Sequence, residues 1–262
     1  MSIPLLHIDA FTDRPFGGNP AAVALLEHPA DESWMQAVAA EMNLSETAFV
    51  VPLDDGRFGL RWFTPTTEVP LCGHATLASA HALWSEDRAE PDDVLRFVTA
   101  SGELQATRSD GRIALTLPAD PPVERAAPGE LLDALGVRAF RAAEGRSMWL
   151  IEVVTAQEVL DAAPDFRALA AFPTTIVTAA GDGKPYDFVS RCFGPNVGID
   201  EDPVTGSAHC LLAPWWAPRL GRTEMRAAQV SARGGDLRLR LEGDVVSVAG
   251  DAVTVLRAEL DV

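Results

Sequence analysis

An internal repeat constrains the fold of this 262-residue chain more than any other sequence feature. Three short patterns occur twice in the same order: R-x-F-x-P, Gly-x-Ala and Gly-x-Leu. Their copies begin at Arg61 and Arg191, at Gly73 and Gly206, and at Gly102 and Gly235. The last two patterns are separated by the same interval in both copies. The repeat therefore predicts two similar units, each a sheet wrapped on a central apolar helix.

Hydrophobic periodicity predicts few helices among many short strands. Three helices are expected, over residues 31–42, 73–85 and 206–216. Asp31 is the expected N-cap of the first helix, with Trp34, Val38 and Met42 on one face. Pro214 lacks an amide hydrogen and is expected to kink or end the third helix.

Fourteen short strands are predicted around these helices, with hairpin turns at Asp110-Gly111 and Gly243-Asp244. The proline-rich stretch 118–130 is the expected linker between the units. We therefore expect an N-terminal half over residues 1–118, completed by a strand at 252–262, and a C-terminal half over residues 122–250. The two helix starts are expected to face each other across a cleft that holds the active site.

Composition excludes several classes of protein. A formal net charge of −17 argues against nucleic acid as a partner, because phosphate binding requires a basic surface. Apolar runs are too short to span a bilayer, and the N-terminal stretch has no signal-peptide pattern. Three scattered cysteines suggest free thiols in a reducing compartment. We therefore expect a cytoplasmic protein with no membrane or nucleic-acid partner.

Two side chains are candidates for proton transfer. Glu46 lies between a predicted helix and strand, flanked by Leu44 and Ala48, where burial would raise its pKa and suit it to acid/base work. A solvated turn residue is the alternative for Glu46. His74 stands at a predicted helix start, which would lower its pKa. A capping or core histidine is the alternative for His74.

Cys72 lies next to this histidine and suggests two further kinds of site. A metal site is not expected, because the "CGH" sequence lacks ligand partners at metal-binding spacing. A thiolate base at a helix start is the other possibility, since the helix would lower the pKa of the thiol. The second unit has no matching cysteine, and Asp202-Pro203 occupies the corresponding region.

An acidic run precedes the second small-residue stretch, in "GIDEDPVTGSAH". Asp200 and Glu201 are interpreted as solvated loop charges, and Asp202 as the carboxylate that faces the cleft. The N–H groups at a helix start suit a small carboxylate ligand even in an acidic protein.

Five segments together resemble the phenazine biosynthesis-like (PhzF) family. They are "DAFTDRPFGGNPAAV", "NLSETAFV", "RWFTPTTEVPLCGHATLASAHAL", "GIDEDPVTGSAHCLLAPWW" and "QVSARGG". The resemblance implies the diaminopimelate epimerase-like fold, an α/β (α+β) fold. Its two pseudo-symmetric halves each have a curled, mostly antiparallel sheet around a central helix.

The resemblance also implies a function and a set of site residues. It implies a cofactor-independent isomerase that is commonly a homodimer and moves a proton on a small carboxylate-bearing metabolite. The implied catalytic residues are Glu46, His74 and Asp202, with Glu46 as general acid/base. The implied substrate-binding residues are Gly73, Gly206, Ser207 and Asn19.

Two other functions stay open at this point. One is an epimerase or racemase that uses Cys72 or Glu46 with Asp202 as the opposing base. Related epimerases use one cysteine from each half, and Pro203 is expected where the second would stand, which disfavours that mechanism. The other is an inactive protein that binds a small acid on the same fold. Cys72 before the Gly-His pair also departs from the phenazine-specific enzyme, so phenazine synthesis is not implied.

Overall fold

The computed structural model describes residues 2–183 and 185–261, which divide into two units. Unit 1 comprises the residues up to Thr116 together with those from Ala249 onward, and unit 2 comprises Leu117–Val248.

Unit 1 contains nine strands and two helices among its described residues. The strands are β1 (Ser2–Ala10), β2 (Asn19–Leu25), β3 (Glu46–Pro52), β4 (Phe58–Phe63), β5 (Glu68–Val69), β6 (Leu95–Thr99), β7 (Gly102–Ser109), β8 (Arg112–Pro118) and β18 (Ala252–Asp261). The helices are α1 (Glu32–Met42) and α2 (Gly73–Ser85).

Unit 2 has a similar succession of elements with additional short helical segments. Its strands are β9 (Val123–Glu124), β10 (Arg141–Glu144), β11 (Trp149–Glu152), β12 (Thr175–Ala180), β13 (Phe188–Gly194), β14 (Ile199–Asp202), β15 (Glu224–Gln229), β16 (Gly235–Glu242) and β17 (Val245–Gly250). Its helices are α3 (Gly129–Leu135), α4 (Ala156–Asp161), α5 (Phe166–Leu169), a 3-10 turn (Pro195–Val197) and α6 (Gly206–Leu220).

Strand pairing follows one plan in both units. In unit 1, β1–β2 is antiparallel, β2–β3 parallel, β3–β4 antiparallel, β4–β6 parallel and β6–β7 antiparallel. In unit 2, β10–β11, β11–β12, β12–β13, β13–β15 and β15–β16 repeat those directions in that order. The short strands β5 and β14 pair antiparallel with β4 and β13. The mostly antiparallel, duplicated α+β fold expected from the sequence is confirmed.

A buried helix forms the centre of each unit. Ten of the thirteen residues of α2 are buried, and it packs against β1, β2, β3 and β18. Ten of the fifteen residues of α6 are buried, and it packs against β15 and β16. Alanine, glycine and serine are frequent in both helices, so the strands approach closely on several sides. Within the described residues, no helix is both long and apolar enough to cross a membrane.

The prolines of α6 do not end the helix where the sequence predicted. Pro214 and Pro218 both lie inside α6, which continues to Leu220. Pro214 cannot donate to the carbonyl of Cys210, four residues earlier. The N–H of Asp120 donates to that carbonyl instead, at 3.0 Å. A bond from outside the helix thus satisfies the carbonyl that the proline leaves without a partner.

The structure adds detail to two other local predictions. Helix α1 turns Met35 and Ala39 into the core, and Trp34, Val38 and Met42 pack against that core while remaining partly exposed. Asp31 is the N-cap residue but makes no side-chain capping bond. The expected linker 118–130 contains β9, which pairs with β10. Short paired segments of this kind have no periodicity for a sequence to reveal.

Candidate active site

Four polar side chains of unit 1 meet where two strands and one helix begin. Asn19 opens β2 and Glu46 opens β3, and these neighbouring strands are parallel, so their first residues share one edge of the sheet. Cys72 is the N-cap of α2, and His74 is its second residue. All four residues are buried. The fold therefore gathers groups that lie far apart in the sequence.

The imidazole of His74 is at the centre of this cluster. Its Nε2 lies 3.1 Å from Oε2 of Glu46, and its Nδ1 lies 3.1 Å from Nδ2 of Asn19. The sulfur of Cys72 lies 3.5 Å from Nδ1 and 4.0 Å from Nε2. The amide of Asn19 suits either state of the ring, since its nitrogen donates to a bare Nδ1 and its oxygen accepts from a protonated one.

Burial and charge act in opposite directions on Glu46 and His74. Burial alone would raise the pKa of Glu46, but the charge of His74 and contacts with His74 and Cys72 outweigh it and lower the pKa. Burial alone would lower the pKa of His74, but Cys72 and Glu46 raise it well above its usual value. The sequence predicted the opposite direction for both groups, because it did not show that they are partners. The pair is a carboxylate beside an imidazolium.

The thiol of Cys72 is not activated by its position at the helix start. Burial, followed by the nearby carboxylate of Glu46, raises its pKa to about 11. The predicted lowering by the helix is therefore wrong, since desolvation and a neighbouring negative charge both disfavour the thiolate. Cys72 stays a thiol at neutral pH.

The loop before α6 carries the candidate residues of unit 2. The hydroxyl of Thr205 donates to Oδ2 of Asp202 at 2.5 Å. Gln229 is fully buried; its Oε1 accepts from the N–H of Thr205 at 2.9 Å, and its Nε2 donates to the carbonyl of Asp202 at 2.7 Å. Ser231 donates to the carbonyl of Pro203 at 2.8 Å. Gln229, which the sequence analysis did not select, thus fixes the backbone that carries Asp202.

Gly206 and Ser207 open α6 as Gly73 and His74 open α2. Neither N-cap residue, Cys72 or Thr205, makes a side-chain capping bond. The first backbone N–H groups of a helix have no partner within the helix, and they carry partial positive charge. Each helix start can therefore offer donors to an anion.

Strand register corrects the comparison between the two units. Val69 pairs with Trp62, and Asp202 pairs with Cys192, at matching points of the R-x-F-x-P strands. Counting onward from these pairs aligns "EVPLCGHAT" with "EDPVTGSAH". Thr205 therefore stands at the position of Cys72, and the prediction that Pro203 stands there was wrong. A threonine hydroxyl cannot replace a cysteine as a base near neutral pH.

The prediction that Glu201 in this loop is solvated also needs correction. Glu201 is not a solvated charge, since Arg191 binds it with two parallel bonds of 2.7 and 2.8 Å. Arg61 binds Glu68 in the same way in unit 1, at 2.7 and 2.6 Å. Because the fork occurs in both units, it explains why an arginine and a glutamate stand at matching positions of the two repeats.

Comparison with solved structures shows that this fold is shared with a PhzF-family protein and with an epimerase. A solved PhzF-family phenazine biosynthesis protein from Enterococcus faecalis is 41% identical, with a TM-score of 0.95 over the full length of both chains. A hydroxyproline epimerase from Agrobacterium vitis shares the fold alone, at 13% identity and a TM-score of 0.64, covering 99% of this chain and 92% of its own.

Sequence comparison gives the family. The family model described as phenazine biosynthesis-like protein matches residues 8–258. An uncharacterized isomerase of Halalkalibacterium halodurans is 49% identical, covering 99% of each chain. A phenazine biosynthesis-like domain-containing protein of Homo sapiens is 42% identical, also over 99% of each chain. The chain belongs to the phenazine biosynthesis-like PhzF family, and the comparisons support isomerase function at the level of the family.

Proposed function

We propose that this protein is a cofactor-independent isomerase that shifts a proton on a small carboxylate-bearing metabolite. The observation that carries the proposal is the buried pair of Glu46 and His74, 3.1 Å apart. The low pKa of Glu46 keeps its carboxylate ionised and able to accept a proton.

In the proposed reaction, Glu46 removes a proton from carbon and returns it to another carbon of the same substrate. The C–H bond breaks toward the carboxylate, and its electron pair moves into the conjugated system of the substrate. The imidazolium of His74 stabilises the negative charge that develops. A protonated Glu46 beside an imidazolium is a strong acid, which favours return of the proton. Positioned acid/base groups of this kind are worth about 10²–10⁴ in rate.

Binding of the substrate carboxylate is assigned to the helix starts. Gly73 and Gly206 would offer backbone N–H groups, and Ser207 a hydroxyl. Asp202 would orient the substrate from unit 2, and Asn19 would hold the ring of His74.

The three free, buried cysteines support a reducing, cytoplasmic location. A homodimer is part of the proposal and is tested by sedimentation.

Epimerisation by two opposed thiols is disfavoured. Thr205 stands where the second thiol would be, and burial, with Asp202 nearby, raises the pKa of Cys192 to about 12. Neither group is a base at neutral pH. Asp202 is the remaining candidate for an opposing base, and the fate of the substrate's stereocentre distinguishes the two reactions.

Proton NMR of a panel of small acids in D₂O tests the proposal. Wild type should exchange one carbon-bound proton and move a double bond, and Glu46→Gln should reduce turnover by about 10²–10⁴ while retaining binding. Glu41→Gln, on the exposed face of α1, is the matched control and should behave as wild type. Full activity in Glu46→Gln would refute the assignment. Exchange with inversion and no double-bond shift would indicate an epimerase.

A further inference from the structure

Glu46, Cys72 and His74 offer three different kinds of metal ligand at one point. One ligand atom from each residue lies within 4.8 Å of the other two, and all three residues are buried. Thiolate sulfur, imidazole nitrogen and carboxylate oxygen are the donors that Zn²⁺ prefers. Spacing rules did not detect this set, because Glu46 reaches it from a different strand of the fold.

Two of the distances between the donors are close to those around a tetrahedral ion. Ligand lengths of about 2.3 Å for sulfur and 2.0–2.1 Å for nitrogen and oxygen place sulfur and nitrogen about 3.5 Å apart, and nitrogen and oxygen about 3.3 Å apart. The sulfur of Cys72 lies 4.0 Å from Nε2 of His74, and Nε2 lies 3.1 Å from Oε2 of Glu46. The sulfur lies nearer to Nδ1, at 3.5 Å, so a different rotamer of Cys72 would be needed to bring it to an ion bound at Nε2.

The carboxylate of Glu46 brings a negative charge to these donors. Glu46 is only 9% exposed, and its Oε2 lies 3.1 Å from Nε2 of His74. An ion at this point would replace the Nε2 proton as the partner of the carboxylate.

The surroundings of His74 suit a ligand that binds through Nε2. Asn19 contacts the other ring nitrogen, Nδ1, at 3.1 Å. A bond at that position fixes the ring of a metal-binding histidine and leaves Nε2 to the metal. Cys210, in contrast, lies on α6 with its sulfur 3.7 Å from the carbonyl of Gly206, and it belongs to no comparable group of donors among the described residues. It provides a matched control.

We propose that Glu46, Cys72 and His74 form a three-ligand site for a thiophilic divalent cation of the Zn²⁺ class, and that its occupation inhibits the enzyme. The ion replaces the protons of the thiol and of Nε2, and water takes the fourth position. It binds the carboxylate oxygen that would otherwise accept the substrate proton. The inhibitory part rests on the proposed function, whereas the binding part does not.

Titration of the full chain with Co²⁺ tests binding without any substrate. Wild type and Cys210→Ser should develop a thiolate-to-cobalt absorption band in the near ultraviolet and the visible bands of a tetrahedral ion. Cys72→Ser should lose the near-ultraviolet band. Absence of the bands from wild type at 10-fold excess of Co²⁺, or their persistence in Cys72→Ser, would overturn the site.

Further variants keep the test decisive if Cys72→Ser does not fold by circular dichroism. Glu46→Gln and His74→Gln should each weaken Co²⁺ binding at least about 10-fold, and unchanged affinity in both would overturn the site.

Addition of Zn²⁺ to the D₂O assay should stop proton exchange, and a chelator should restore it. Cobalt binding without inhibition by Zn²⁺ would refute the inhibitory role. Failure to find a substrate would concern the proposed function and leave the cobalt result standing.

Discussion

The segments that begin the two central helices share one scaffold but carry different chemistry. Residues 68–76 in unit 1 and 201–209 in unit 2 each begin with an acid bound by an arginine fork and end in a buried helix. In both, a serine donates to the proline carbonyl, Ser101 to Pro70 and Ser231 to Pro203. Unit 1 then supplies Cys72 and His74 where unit 2 supplies Thr205 and Ser207.

This difference shows how two units of one fold can carry different chemical groups. The backbone and the arginine fork are retained because both units need the same turn into a buried helix. The proton-carrying side chains are not needed for that turn, so they can differ. Unit 1 combines a carboxylate, a thiol and an imidazole, whereas the same positions of unit 2 provide hydroxyls and one displaced carboxylate, Asp202.

The largest expected effect comes from giving unit 1 the residue of unit 2, in His74→Ser. Loss of the imidazolium should lower turnover by about 10²–10³. Because His74 lowers the pKa of Glu46 against the effect of burial, its removal should raise that pKa above the usual value. The acid limb of kcat/KM should then move to higher pH. Exposed His28→Ser is the control, and an unmoved acid limb would contradict the pairing.

His209→Thr tests a second pair of matching residues, Thr76 in α2 and His209 in α6. Thr76 Oγ1 and His209 Nδ1 each bond the carbonyl four residues earlier, at 2.6 and 2.8 Å, so threonine can take over the bond. Burial lowers the pKa of His209 to about 4, below an unfolded value of about 6.5. As pH falls from 6.5 to 4, the unfolded state gains a proton first, and wild type should lose about 3 kcal/mol.

The variant should lack this part of the pH dependence. Urea unfolding at several pH values between 4 and 7 measures the slope, which is separate from any constant loss caused by the smaller side chain. Equal slopes for wild type and His209→Thr would contradict the assignment of a neutral, buried imidazole.

Gln229→Leu tests the contact that only unit 2 makes. Strand register places Thr99 at the matching position of unit 1, where its hydroxyl donates to the carbonyl of Gly102 in the adjacent turn. Loss of the Gln229 amide removes the bonds to the Thr205 N–H and the Asp202 carbonyl, at a cost of about 1–3 kcal/mol. Turnover should also fall, with Asp202 no longer fixed. Thr99→Ala should change unfolding by less than about 0.5 kcal/mol, and equal losses would remove the distinction.

The smallest expected effect distinguishes the two arginine forks. Arg191 is 14% exposed and also donates to the carbonyls of Val159, Leu160 and Ala162, whereas Arg61 is 38% exposed. Lysine cannot make the fork or these additional bonds. Arg191→Lys should therefore cost about 1–2 kcal/mol, and Arg61→Lys less than about 1 kcal/mol. Thermal unfolding of both variants checks the order, and the reverse order would contradict it.

Much of this architecture was predictable because it depends on local pattern. Helix α2 was predicted to the residue, since Gly73 and Ser85 limit a continuous run of small and apolar residues. The repeat predicted the duplicated units, because sequence order alone reveals it. The end of α6 was not predictable, since the bond from Asp120 that accommodates Pro214 comes from a distant part of the chain.

The sequence by itself determined the fold class, the family and the identity of the candidate groups Glu46, His74 and Asp202. Tertiary structure decided their chemical state. The packing of helix α2 on strands β2 and β3 brings Glu46 to His74, and this contact reverses the pKa directions that each residue's own segment suggests. Strand register likewise identified Thr205, not Pro203, as the counterpart of Cys72. Charge coupling acts through space over a few ångströms, and only folding sets those distances.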